Sequence, residues 1–105
     1  MIEGMVRKDT DVYRVVDYIS LKLTLSTTVL YPNKETNGHR HPHYEMYYIM
    51  KGMGKIQRGM EITDIVSGSA LSIGSGLFHK VWNTGEGNLE FICAWENIDI
   101  DNCQG

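Results

Sequence analysis

Glycine interrupts this chain every few residues through its second half, and between the interruptions apolar side chains recur at every second position. Both habits exclude long helices. In LKLTLSTTVLY, residues 21–31, the odd positions Leu21, Leu23, Leu25, Val29 and Tyr31 are apolar with Thr27 intervening, and the even positions to Thr28 are Lys, Thr, Ser and Thr. A period of two marks a strand with one buried face, here expected to be the odd one. YEMYYIMKG, MGKIQRG, EITDIV, ALSIG, HKVWN and LEFICAW follow, separated by the turn clusters SGS (67–69), GSG (74–76) and NTGEGN (83–88). Residues 9–20 suit either a strand or a single helical turn. Seven to nine short strands predict an all-β antiparallel barrel or sandwich.

With 105 residues, 42% hydrophobic and 22% charged, the expectation is one compact domain over residues 1–105. A net charge of -3, with scattered basic residues, disfavours nucleic acid as a partner. The start, MIEGMVRKDT, lacks the apolar core of a signal peptide, and no apolar run approaches membrane-spanning length, so the expected location is the cytoplasm, away from membranes. Cys93, within FICAW, is expected to be a buried thiol, and Cys103, near the C-terminus, an exposed one, without a disulfide between them.

Three of the four histidines fall in HRHPHYE, residues 39–45. On an extended chain His39 and His41 share a side, and a short turn at 42–44 can bring Glu45 to the same point. The fourth, His79, opens another expected strand after GSGLF, and a neighbouring strand can carry it to the same place. Three neutral imidazoles and a carboxylate suit one divalent transition metal: iron, manganese, nickel, zinc, cobalt or copper. His43 shares the parity of His41 but lies outside the ligand spacing, and is expected to be an exposed bystander.

The spacing of these residues resembles the two motifs of the cupins. The first, G-x5-H-x-H-x3or4-E-x6-G, is met by His39, His41, Glu45 and Gly52; the second, G-x5-P-x-G-x2-H-x3-N, by Gly68, Gly76, His79 and Asn83. Together they span 38–52 and 68–83. Asn33 stands where the first motif has its leading glycine, which a residue tolerant of left-handed backbone can replace, and Gly74 stands where the second has proline. The resemblance implies a cupin double-stranded β-helix, or jelly roll, barrel. It implies metal-ligand roles for His39, His41, Glu45 and His79. It further implies a homodimer through the outer sheet, where Met46, Tyr48 and Met50 would point away from the interior.

Tyr31, Tyr47, Val81, Phe91, Cys93 and Trp95 are candidates for the pocket wall, with Glu45 and Tyr47 as the catalytic candidates and Asn83 as a turn residue. Three functions follow. The first is a metal-dependent isomerase on a sugar or sugar phosphate. T-N-G-H-R-H, K-G-x-G and H-x3-N-T-G are similar to segments of cupin-type phosphoglucose isomerases, although those have a longer gap from H-x-H to Glu and phosphate-binding residues without a counterpart here. The second is an iron- or nickel-dependent dioxygenase. The third is a non-enzymatic module that binds a small molecule.

Overall fold

The structure, a computed structural model, describes residues 1–97. Among them are nine strands and no helix: β1 (Met5–Asp9), β2 (Tyr13–Ile19), β3 (Leu23–Leu30), β4 (Glu45–Lys51), β5 (Met53–Arg58), β6 (Glu61–Val66), β7 (Ala70–Ile73), β8 (His79–Asn83) and β9 (Leu89–Glu96). The ambiguous stretch 9–20 holds a bend at 10–12 and then strand β2, where Val15, Val16 and Ile19 are β-branched and stiff at χ1, which suits the pleat. All pairings are antiparallel, in a six-stranded sheet ordered β1-β2-β3-β9-β4-β7 and a three-stranded sheet ordered β6-β5-β8. The two sheets form a double-sheet jelly roll. Cys103 lies outside the described residues.

The core between the sheets contains Leu30, Ile49, Ile56, Ile65, Val81 and Leu89, each almost wholly buried. Each such side chain contributes about 1.5–3 kcal/mol by leaving water. Gly54 is required at the closest approach of two strands: a Cβ there would lie 2.1 Å from the Trp82 carbonyl oxygen. Asn33 takes φ +63°, the left-handed backbone expected where the motif usually carries glycine. Asn83, expected in a turn, is instead the last residue of β8, and its side chain holds the loop that follows. Its Nδ2 donates to the carbonyls of Leu30 and Gly87, both at 2.9 Å, and its Oδ1 accepts from Gly85 N at 2.9 Å. One buried amide thus ties the end of β8 to β3 and closes the loop into β9.

The inward face of β3 is the reverse of the expected one. Thr24, Ser26, Thr28 and Leu30 face the interior, while Leu23 and Leu25 are exposed and Val29 is partly so. The alternation was legible, but its apolar side lines the outside of the sheet and its hydroxyl side lines a cavity that needs polar groups. Tyr31 accordingly lies beyond the end of β3, away from the cavity wall, and Val81 belongs to the core between the sheets.

Candidate metal centre

His39 and His79 face each other across an isolated antiparallel bridge, His39 N donating to His79 O at 3.0 Å and His79 N to His39 O at 2.9 Å. This bridge registers the HRHPHYE segment against the first residue of β8. The segment is pinned again at the GSG turn, where Gly76 N donates to His41 O at 2.6 Å and Ser75 Oγ to Pro42 O at 2.5 Å. Glu45 then begins β4, held between Ile73 of β7 and Trp95 of β9.

One donor atom each from His41, Glu45 and His79 lies within 4.8 Å of the others. Around Glu45 Oε1, His43 Nε2 is at 3.5 Å, His41 Nε2 at 3.6 Å and His79 Nε2 at 4.0 Å. His79 Nδ1 lies 3.2 Å from the Leu77 carbonyl, so it is the protonated nitrogen that donates there, and the Nε2 lone pair is turned to the site. His39 also borders the cavity, its ring 5.7 Å from that of His41 and 6.5 Å from that of His79, but it lies outside the compact trio.

His43 departs from expectation. Its ring is mostly covered, stacked between those of His41 and Trp95 at 5.2 Å each, and it borders the same cavity. The parity it shares with His41 and Glu45 is kept through the bend at 42–43, so all three side chains border the cavity, and only the motif spacing sets His43 aside.

Burial lowers His41 to about 4, with the neighbouring His79, His43 and His39 adding to the effect, and burial also lowers His43 and His79. These imidazoles are therefore neutral near pH 7, with lone pairs available. Glu45, 4% exposed, is raised to about 7 by burial, against which the Arg7 guanidinium works weakly. A buried carboxylate ringed by imidazoles that resist protonation lacks a counter-charge, and a divalent cation supplies one. The donor set fits such an ion.

The group opens onto a cavity of about 310 Å³. Tyr47, Phe91, Cys93 and Trp95 form part of its wall, as the sequence led us to expect, with Tyr47 stacked on Phe91 at 5.4 Å and set edge-on to His79 at 6.1 Å. Burial, with Cys93 and Glu45 beside it, pushes the Tyr47 hydroxyl up, so it keeps its proton. Ser26 and Thr28 add hydroxyls from β3. The cavity also contains a pair that sequence reasoning missed, Arg7 of β1 and Asp17 of β2, joined by Nε to Oδ2 at 2.6 Å. The available signal was the parity of β2, which puts Asp17 on the same inward face as Val15. An acid on a buried face requires a partner.

The cupin domain model matches residues 26–95, which include both motifs. Among solved structures, a predicted oxalate decarboxylase from Thermotoga maritima is similar at TM-score 0.77, with 21% identity over 92% of this chain and 94% of that one. An RmlC-like cupin from Shewanella frigidimarina NCIMB 400 is similar at TM-score 0.78, with 12% identity over 95% and 89% of the two chains. A cupin 2 conserved barrel domain protein from Rhodopseudomonas palustris is similar at TM-score 0.77, with 20% identity over 92% and 72%. No curated protein matches the chain. At these identities the likeness is one of fold.

Proposed function

The chain belongs to the cupin family, and from that premise we propose that it is a metal-dependent enzyme acting on a small oxygen-bearing molecule. One observation carries this reading: His41, Glu45 and His79 bring their donor atoms together on the wall of a cavity sized for a small molecule. His39 completes the set that the motif implies. A divalent ion at that point supplies Lewis-acid polarisation of a carbonyl and open positions for substrate oxygens. Tyr47, protonated and buried on the same wall, holds a proton where a developing oxyanion needs one.

The reaction class we favour is proton movement on a hydroxy-carbonyl compound, as in an isomerase. A sugar phosphate suits the cavity less than a smaller substrate. Arg7 is the only Lys or Arg on its wall among the described residues, and Asp17 and Glu45 oppose a second negative charge. The test is deuterium uptake. Metal-loaded protein is incubated in deuterated water with short aldoses, hydroxyketones and hydroxy acids, and exchange at carbon is followed by mass spectrometry. Uptake in the wild type that disappears in His79→Ala supports the reading. Oxygen consumption without uptake transfers the assignment to a dioxygenase, and neither result leaves a ligand-binding module.

We also propose a homodimer through the six-stranded sheet. Met46, Tyr48 and Met50 on β4, with Leu23 and Leu25 on β3, are exposed on its outer face, Met46 at 62%. Such a surface is apolar enough to seat a second copy. Sedimentation should give a dimer for the wild type and a monomer for the double variant Tyr48→Lys, Leu25→Glu. A wild-type monomer at micromolar concentration overturns this proposal.

A further inference from the structure

In the β1–β2 pairing Val6 faces Val16 and Lys8 faces Val15, which leaves Arg7 as the extra residue of a bulge. A bulge re-aims the side chain it carries. Although every residue of β1 is exposed, the Arg7 side chain reaches inward to Asp17 and borders the cavity. Its Nε donates to Asp17 Oδ2, and among the described residues its terminal nitrogens donate to nothing. The other Asp17 oxygen is buried without a partner, so the contact is one-pronged and the far edge of the guanidinium is left for another acceptor.

Arg7 and the metal ligands border the same cavity from different strands. Asp17 pairs with Ser26, Ser26 with Cys93 and Cys93 with Tyr47, so these residues form one row across four strands. Their backbones span about 14 Å at the usual strand spacing. The charge on Arg7 nevertheless acts on both Glu45 and His41. A ligand that occupies the cavity meets metal-ligating groups at one end and a guanidinium at the other.

Resting on the metal-centre reading above, we propose that Arg7 is the specificity-determining residue for a small monocarboxylate substrate. The carboxylate lies on the Arg7 fork, and a hydroxyl or carbonyl several bonds away is turned to the metal. Charge favours a single negative group over a phosphate dianion: two positive charges from the ion and one from Arg7, against Asp17 and Glu45, leave one. Asp17 is a positioning residue that holds the guanidinium at Nε.

The experiment is calorimetric titration of manganese-loaded and metal-free protein, wild type and Arg7→Gln. The probes are glycolate, 3-hydroxypropanoate and 4-hydroxybutanoate, with the neutral diols of the same lengths and 3-hydroxypropyl phosphate as comparisons. Metal content and melting temperature are read in parallel, and Arg7→Lys is carried as a variant that keeps the charge. At least one hydroxy acid is expected to bind the loaded wild type and to weaken about tenfold to a hundredfold in Arg7→Gln, while metal content and diol binding are unchanged. Arg7→Lys should fall between them. Equal affinity in wild type and Arg7→Gln, with metal retained, overturns the inference and leaves the metal centre standing. Tighter, Arg7-dependent binding of the phosphate ester overturns the carboxylate assignment. Failure of the wild type to hold manganese, zinc or iron overturns the metal reading instead. In that case, hydroxy-acid binding by the metal-free protein that depends on Arg7 keeps the subsite, and its absence removes both.

Discussion

Glu45→Gln should lose the metal and, without metal, be more stable than the wild type at pH 8. The carboxyl titrates at about 7 in the folded chain against 4.5 for its ordinary value. The folded state therefore holds this proton more tightly, and the associated stability is present at low pH and lost as pH rises through 7. Above that pH the metal-free wild type carries an ionised carboxylate in a buried ring of imidazoles, at a cost of roughly 2 to 3 kcal/mol relative to neutral glutamine. His41, lowered to about 4, contributes with the opposite sign: its stabilisation is present above 6.5 and is lost as pH falls towards 4. That second effect occurs in both proteins, so the difference between their melting curves isolates Glu45. Saturating metal should reverse the order, since ligand at a thousand times its Kd adds about 4.1 kcal/mol to the protein that binds it, more than the cost of the ionised carboxylate. Thermal melts of both proteins from pH 5 to pH 8, with and without manganese, check the prediction. A metal-free wild type that equals or exceeds Glu45→Gln at pH 8 refutes it.

Asn83→Asp should destabilise the chain by about 3 kcal/mol or more, lowering Tm by more than about 10 °C, although the two side chains have nearly the same shape. Two carbonyl oxygens, of Leu30 and Gly87, accept from Nδ2, and aspartate would offer them an oxygen instead. A buried carboxylate would then face two carbonyls without a donor. No metal ligand is touched, so the variant that remains folded at low temperature should bind metal as the wild type does. Weakened metal binding in a fully folded variant would show that Asn83 acts on the site as well as on the turn.

The strands and the ligand cluster could be read from sequence because both are local. Alternation of side chains is a property of a few consecutive residues, and the spacing of His39, His41 and Glu45 belongs to one segment whose partner, His79, sits at a matching place in a second motif. What escaped depends on the third dimension. Ser26 and Thr28 face the cavity and Thr24 bonds to Asn97 Oδ1, while the apolar side chains of β3 lie on its outer face, so hydrophobicity alone pointed to the wrong side. His43 faces the cavity with the same parity as His41 and Glu45, and only its place outside the motif's ligand spacing sets it aside. Arg7 was hidden more deeply, since a one-residue slip in the pairing of β1 aims it and no composition window records such a slip.

The two ends of the cavity are carried by different scaffolding. The residues that would hold the proposed ion come from β4, β8 and the loop before Glu45, next to the central strand β9 of the larger sheet. The opposing cation hangs from β1, an outermost ribbon of five residues paired on one side only. On the proposed reading, edits to that ribbon would alter which molecules are admitted and leave the metal ligands in place. Selectivity and reactivity would then diverge independently in this small scaffold, each with its own mechanical support.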